Sequence, residues 1–200
     1  MEKGASEVLM PAAEIPLFGV HNRDNVMAAA LIGRIVGIPA PVMRESIRSF
    51  RALEHRLERV AVIGGVEFVN DSKATTVDAA IKAVESFDRP LVLILGGKDK
   101  GSDFQPLRGA IAGRVKSVVL IGAAKDKIRA ALEGAGVPMT EARDYVEAVA
   151  QAYAAASPGD IVLLAPACTS WDMFPSFEVR GQTFKNEVRR LADAAVGRGG

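Results

Sequence analysis

Val69-Asn70-Asp71-Ser72-Lys73-Ala74-Thr75-Thr76 is the stretch of this sequence that decides the fold. Two short apolar runs, residues 60–63 and 66–69, lead into it, and their β-branched and aromatic side chains are typical of strands. The stretch then supplies an amide, a carboxylate, an ammonium and three hydroxyls within eight residues. A strand that ends abruptly in such groups is typical of the carboxyl edge of an α/β sheet, where ligands bind.

Apolar and amphipathic segments alternate through the rest of the chain. Residues 60–70 predict a hairpin that turns at Gly64-Gly65, and the further predicted strands are 91–95, 117–121 and 161–164. The predicted helices are 76–86, 104–113, 125–133, 144–156 and a last segment carrying Phe184, Val188 and Leu191. Strands separated by helices favour a Rossmann-like α/β domain, with a mostly parallel sheet and helices on both faces.

The N-terminal quarter follows another pattern. Apolar residues dominate from Asn25 to Val36 and predict a buried helix that ends by Gly37. Pro41 is suited to the first turn of a second helix, with Val42, Ile47 and Phe50 predicted to face inward. The mostly polar residues 51–56 are the predicted boundary between this segment and the α/β domain.

Composition excludes several classes of protein. The chain is 49% hydrophobic and 24% charged with a net charge of +1, so no field attracts nucleic acid or an anionic membrane, and neither is expected as a partner. No apolar run reaches the roughly 18 residues of a membrane span, and no signal-peptide pattern is visible. We predict a cytoplasmic protein in which the lone Cys168 is a buried, inert thiol.

Two more polar loops follow predicted strands. Residues 96–101 combine glycines, which allow a close approach of backbone, with mobile lysine cations, but lack the Gly-Lys-Ser/Thr ending of a P-loop. The loop from Ala165 to Phe177 offers the hydroxyls of Thr169 and Ser170, which can donate to a carboxylate. The residues alone leave each loop open to a bland interpretation: a solvated turn, an aromatic core, or an N-cap by Thr75 or Asp71.

Four segments resemble motifs of the Mur ligase family, and they occur in the family's order. They are His21–Asn25, Asn70–Thr75, Leu95–Phe104 and Leu163–Gly181. The third is similar to the Gly-Gly-x-x-Lys loop of members that add D-glutamate, and the fourth to their Phe-x-x-Arg-Gly segment. The resemblance extends from about Leu17 to the end of the chain.

The resemblance implies a domain organisation. Residues 54–200 correspond to the Mur ligase C-terminal domain, and residues 1–53 to the tail of the family's central ATPase domain. The P-loop, the magnesium-binding acid, the bridging lysine and the UDP-binding domain of the family have no counterpart in this sequence. We therefore expect no complete catalytic set, no metal ligands and no activity of the chain alone.

The resemblance also implies which residues bind ligands. Those implied to contact the nucleotide are Asn22, Asn25, Arg56 and Asp71. Those implied to contact D-glutamate are Thr75, Lys100, Ser170 and Phe177, with Lys100 on the side-chain carboxylate. His21 and Lys73 lie close to these motifs and are possible site residues without an assigned role.

The activity that the resemblance implies is ATP-dependent amide formation. D-glutamate is added to UDP-N-acetylmuramoyl-L-alanine through an acyl phosphate during peptidoglycan synthesis, with ATP and magnesium as cofactors held mainly by the missing part of the enzyme. A separate chain carrying the missing domains is one candidate partner. Two alternatives stay open: another amino-acid ligase of the Mur or folylpolyglutamate type, and a non-catalytic amino-acid-binding module.

Overall fold

The computed structural model describes residues 8–51 and 53–196, which belong to two compact units, residues 1–52 and 53–200. The first unit contains a short 3-10 helix, Ala12–Glu14, and two α-helices, α1 (Val20–Ile35) and α2 (Ala40–Ser49). Both predicted helices are present, and α1 begins earlier than its apolar run. No helix in the described ranges is both long enough and apolar enough to cross a bilayer.

The apolar side chains of the first unit, which were expected to be buried against the family's central domain, are mostly exposed within this chain. Met27, Leu31 and Ile35 of α1 are 61%, 63% and 75% exposed, and Val42 and Phe50 are about half exposed. Met43 is the single buried hydrophobic residue within residues 8–51. A helix that is apolar on most of its circumference needs neighbours on several sides, and α2 covers only a small part of α1.

The second unit is built on a six-stranded sheet. Its strands are β1 (Glu58–Ile63), β2 (Val66–Asn70), β3 (Leu91–Gly96), β4 (Val115–Ile121), β5 (Met139–Ala142) and β6 (Ile161–Leu164). They lie in the order β1-β2-β6-β3-β4-β5, and every pairing except the β1–β2 hairpin is parallel. The predicted α/β class and mostly parallel sheet are therefore confirmed.

Five helices cover the sheet. They are α3 (Val77–Glu85), α4 (Leu107–Ile111), α5 (Lys125–Leu132), α6 (Tyr145–Ala155) and α7 (Phe177–Val196). Helices α6 and α7 contact each other, with α6 against β3, β4 and β5 and α7 against β1 and β2, while α3 and α5 both contact α4. Helix α4 is shorter than predicted because it begins after Pro106, which is tolerated at a helix start but not in its interior.

Strand β5 was not predicted from the sequence. Its residues, Met-Thr-Glu-Ala, contain no apolar run, and only Ala142 among them is buried. The strand pairs with β4 on one side and forms an edge of the sheet. An edge strand needs no continuous hydrophobic pattern, so the signal on which strand prediction relies is missing here.

The core lies around the three central strands β2, β6 and β3, all of whose residues are buried. On one face, Phe68, Ile94 and Leu164 pack with Ala148 of α6 and Phe184 of α7. Because β2, β6 and β3 are adjacent and parallel, their carboxyl ends meet at the same edge. The polar loops found in the sequence follow these three strands, so the fold brings them side by side.

This distribution of buried side chains predicts the outcome of limited proteolysis. We expect proteases to cut first within residues 8–51, where little apolar surface is buried, and to leave a product close to residues 53–196. Mass spectrometry of a time course would identify the products. First cuts inside β2, β3 or β6, with residues 8–51 intact, would contradict this expectation.

Candidate functional site

Three loops form the candidate site at the carboxyl edge of the central strands. We define them as the β2 loop (residues 71–76), the β3 loop (residues 97–106) and the β6 loop (residues 165–176). The loops are joined through their backbones: Ala167 N–H donates to the Ala74 carbonyl at 2.9 Å, and Gly96 N–H donates to the Pro166 carbonyl at 2.9 Å. The site therefore has a continuous backbone frame.

A short antiparallel bridge joins the β3 and β6 loops. Lys98 N–H donates to the Thr169 carbonyl at 2.9 Å, and Thr169 N–H donates back at 3.1 Å. The Thr169 hydroxyl also donates to the Lys98 carbonyl, at 2.9 Å, so its predicted donation to a ligand carboxylate is not seen. Gly97 allows this contact, because a Cβ at its φ of 132° would overlap the Thr169 carbonyl oxygen. Here glycine serves the packing of two loops against each other.

Arg180, on α7, lies beneath the β2 and β6 loops and is completely buried. Its Nε donates to Ser72 Oγ at 2.9 Å, Nη2 to the Ser72 carbonyl at 2.8 Å and Nη1 to the Cys168 carbonyl at 3.0 Å. Ser72 Oγ donates onward to the Phe177 carbonyl at 2.8 Å. Burial lowers the pKa of Arg180, and its three donor groups compensate by bonding to neutral oxygens of two loops.

Sequence reasoning missed Arg180 as a site residue. The signal was present, since an arginine stands close to the apolar positions of the last helix and within the Phe-x-x-Arg-Gly pattern. A charged residue within an apolar helix face points to a buried, fully hydrogen-bonded role. Only the fold shows that the groups it binds come from loops far away in the chain.

A strained turn precedes β1 and presents Arg56. His55 and Leu57 have φ values of 63° and 42°, which non-glycine residues rarely adopt. His55 is buried, with Nδ1 3.0 Å from Asn70 Nδ2, and its carbonyl accepts from Lys73 N–H at 3.1 Å. Gly181 leaves the room that the imidazole needs, since a Cβ there would overlap it. The exposed Arg56 is thus held beside the β2 loop by buried neighbours.

Asp71 lies within this same region. Its side chain is buried, and burial raises the pKa of the carboxyl to about 6, against the opposing effects of a hydrogen bond from Leu57 N–H and the charge of Arg56. The structure therefore brings together Arg56 and Asp71, two residues implied to contact the nucleotide. An aspartate whose pKa is raised this close to neutral pH is unusual, and such groups concentrate at functional sites.

Of the residues implied to contact D-glutamate, Thr75, Lys100 and Ser170 lie on the three loops, one on each, and Phe177 is the first residue of α7. Lys100 is exposed with Nζ 5.1 Å from the Trp171 ring centroid, and Lys73 Nζ lies 4.8 Å from the Phe177 ring centroid. Ser170 is buried, and its Oγ has no hydrogen-bond partner among the described residues. A buried hydroxyl in this position can donate to a ligand oxygen without giving up an internal bond.

Thr75 is half-buried in the β2 loop, and its N–H donates to the Lys73 carbonyl at 2.8 Å. The predicted N-cap at Thr75 or Asp71 is wrong, because α3 begins at Val77 and Thr76 Oγ1 accepts from Ala79 N–H at 3.3 Å. Neither of those side chains is therefore needed to begin the helix.

The remaining predicted residues belong to the first unit. Asn22 is buried, and its Nδ2 donates to the Phe18 carbonyl at 2.7 Å, while Asn25 is exposed on α1. The side chain of His21 lies outside the described part of the structure. The nucleotide contacts implied for Asn22 and Asn25 stay predictions.

An acidic cluster and the single cysteine have structural explanations that need no ligand. Glu54, His55 and Glu58 lie close enough to suggest a cation site, but Lys185 Nζ is 2.7 Å from a carboxylate oxygen of each glutamate and already supplies a positive charge there. Cys168 is buried as predicted, and burial raises the pKa of its thiol to about 12. The thiol is therefore protonated at neutral pH and unreactive.

Comparison with known proteins gives a family match across the site. Residues 55–168 match the family model of the Mur ligase glutamate ligase domain. The chain is 56% identical over 195 residues to the UDP-N-acetylmuramoylalanine–D-glutamate ligase of Acidobacterium capsulatum, and 50% identical over 185 residues to that of Solibacter usitatus. These matches cover 98% and 92% of this chain but 42% of each relative, so the chain spans less than half of their length.

Solved structures show the same fold at low sequence identity. The UDP-N-acetylmuramate-alanine ligase of Thermotoga maritima matches with a TM-score of 0.66 at 16% identity, over 88% of this chain and 39% of that one. A Mycobacterium tuberculosis folylpolyglutamate synthase complexed with ADP matches with a TM-score of 0.63 at 19% identity, over 85% and 41%. At such identities the likeness concerns the fold alone.

The hydrogen bonds of Arg180 predict a large effect on stability. We expect Arg180→Met to lower the free energy of unfolding by about 2–3 kcal/mol, because carbonyl oxygens of two loops lose a charged donor. Arg180→Lys should also destabilise, since one ammonium cannot reach all three acceptors. Urea denaturation would measure both variants.

Arg190→Met provides the matched control. Arg190 is exposed on the same helix and pairs with Glu187 at 2.9 Å, so its loss should change stability by about 0.5 kcal/mol or less. Equal effects at positions 180 and 190 would show that the buried guanidinium does not hold the loops together.

The environment of Asp71 predicts a pH-dependent effect. The pKa of Asp71 is about 6 in the folded chain and about 3.9 in an unfolded chain. Between these two pH values the folded chain binds more protons than the unfolded chain, so the free energy of unfolding falls as the pH rises from about 3.9 to about 6. Asp71→Asn keeps an oxygen acceptor for Leu57 N–H and cannot ionise. We expect its stability relative to the wild type to increase by about 2 kcal/mol from about pH 4 to about pH 7. An equal difference at both pH values would contradict the assignment.

Proposed function

Because this chain belongs to the Mur ligase family, we propose that it is the D-glutamate-binding portion of a ligase that adds D-glutamate to UDP-N-acetylmuramoyl-L-alanine. The reaction consumes ATP and joins the two substrates through an acyl phosphate. The observation that carries the proposal is the juxtaposition of the β2, β3 and β6 loops, which supply Thr75, Lys100 and Ser170 to one sheet edge.

The chemistry of this edge suits an acidic amino acid. Lys100 offers a charge-assisted bond to a carboxylate, and the Ser170 hydroxyl offers a neutral one from a rigid, buried position. We assign the side-chain carboxylate of D-glutamate to Lys100 and Ser170, with Thr75 and the Phe177 backbone lining the same site. The substrate amine is then left to face the acyl phosphate.

We assign nucleotide contacts to Arg56 and Asp71 in the second unit and, separately, to Asn22 and Asn25 in the first unit. The guanidinium of Arg56 is suited to phosphate oxygens, and the carboxylate of Asp71 can accept from ribose hydroxyls. For magnesium, the one cluster of three acidic or histidine side chains within the described residues has both of its glutamates paired with Lys185, which disfavours it as a metal site. The metal and the phosphate cradle are assigned to the rest of the enzyme.

We further propose that residues 1–53 are the tail of the central ATPase domain and residues 54–200 the C-terminal domain. The exposed apolar side chains of α1 support this assignment, because a contiguous apolar surface of this kind normally contacts other protein. The remaining domains would be supplied by the rest of a longer protein or by a separate chain.

A chimaera tests the proposed function. The part of the Acidobacterium capsulatum relative that lies outside the match would be joined to this chain, restoring a full-length ligase. We expect phosphate release that requires ATP, magnesium, UDP-N-acetylmuramoyl-L-alanine and D-glutamate together. Turnover with L-glutamate on a folate substrate instead would favour the folylpolyglutamate alternative. A folded chimaera without turnover, whose chain still binds D-glutamate, would favour the non-catalytic module.

The chain alone should not catalyse the reaction. It lacks a P-loop sequence and a ligand set for magnesium among its described residues, and phosphoryl transfer needs both. A phosphate-release assay with all substrates should therefore show no turnover above background. Turnover of about 1 per second or more would refute this prediction.

Replacement of Lys100 should affect D-glutamate selectively. In the chimaera, Lys100→Ala should raise the KM for D-glutamate about 10- to 100-fold, which corresponds to the loss of one hydrogen bond to a charged group, and change the KM for ATP little. Lys82→Ala, at an exposed position in the last turn of α3, is the matched control and should change neither. An unchanged KM for D-glutamate in the Lys100 variant would refute the assignment.

A further inference from the structure

Trp171 stands out from its surroundings because it is 63% exposed, while residues 161–170 immediately before it are all buried. It is the one tryptophan of the chain. An indole that is this exposed does not contribute to the core. Its close neighbour is the Lys100 ammonium, 5.1 Å from the ring centroid.

The backbone on both sides of Trp171 is held firmly. Thr169, two residues before it, is bridged to Lys98 by two backbone hydrogen bonds. After it, the Ser170 carbonyl accepts from Met173 N–H at 3.0 Å and from Phe174 N–H at 2.7 Å, and the side-chain Oδ2 of Asp172 accepts from Ala123 N–H at 2.8 Å. The indole therefore projects from a fixed segment, next to the buried Ser170 hydroxyl.

Unlike the fixed segment that carries Trp171, the side chain of Lys100 is mobile. Its side chain is long and flexible, it is exposed, and it makes no hydrogen bond or ion pair to any of the described residues. A lysine ammonium attracted to the face of an indole loses part of its conformational freedom before a ligand arrives. Its N–H donors that point away from the ring remain available for a carboxylate.

We propose that Trp171 is a positioning residue: its ring holds the Lys100 ammonium ready for the substrate carboxylate beside Ser170. This inference rests on the proposed function for the identity of the ligand, and adds to it a residue that acts through Lys100. Because the ordering of Lys100 then precedes binding, Trp171 tightens the binding of the acidic amino acid.

Nuclear magnetic resonance of the chain without ligand tests the contact directly. Ring currents should move the Lys100 side-chain methylene protons upfield in the wild type and in Trp171→Phe, but not in Trp171→Leu. The Lys73 methylenes, which lie over the Phe177 ring, should be unchanged in both variants and serve as the internal control. Unshifted Lys100 protons in the wild type would overturn the inference whatever the ligand is.

Kinetics of the chimaera tests the consequence. Trp171→Leu should raise the KM for D-glutamate about two- to fivefold, the factor that a cation–π contact at an exposed site supplies, and leave kcat and the KM for ATP unchanged. Trp171→Phe should restore most of the loss. A KM unchanged in Trp171→Leu, or raised equally in both variants, would overturn the inference. An inactive wild-type chimaera would count against the proposed function, while the ring-current shifts would still decide whether Trp171 holds Lys100.

Discussion

The buried guanidinium of Arg180 is the interaction on which the architecture of the site depends. It has no carboxylate partner within hydrogen-bonding distance among the described residues, and its compensation comes from Ser72 and the Cys168 carbonyl, on two different loops. A buried charge is tolerated only when its donors are satisfied, so folding of α7 against the sheet requires both loops to take their observed positions. The bridge between Lys98 and Thr169 then extends the same frame to the β3 loop.

In this site the rigid parts are the loop backbones, and the charged groups are mobile lysine side chains. The backbones of the three loops are locked by hydrogen bonds, whereas the ammonium groups of Lys73 and Lys100 are exposed and lie against aromatic rings of Phe177 and Trp171. Backbone order fixes where a ligand can lie, and mobile cations on aromatic platforms can adjust to its carboxylates. Such a division suits the small, charged ligand that we propose for this site.

Backbone strain and the unfavourable burial of a carboxyl group occur together at the turn before β1 and at Asp71. His55 and Leu57 occupy left-handed conformations, and Asp71 carries a carboxyl whose ionisation burial opposes. Neither feature improves stability, and both depend on neighbours that hold them in place, including the Asn70 amide and the cavity left by Gly181. Costs of this kind at a sheet edge are typical of positions kept for ligand contacts rather than for folding.

The sequence alone determined the features that depend on local pattern. Apolar runs predicted every strand except β5, helical spacing predicted the helices, and polar groups after three strands predicted the sheet edge where the polar loops meet, because residue periodicity reflects burial directly. Only the tertiary structure decided the features that depend on distant partners: the exposure of α1, the cap at Thr76, the edge strand β5, the internal bond of the Thr169 hydroxyl and the role of Arg180. Each of these features depends on which surfaces pack against each other in the folded chain, and local sequence patterns carry no information about contacts between distant segments.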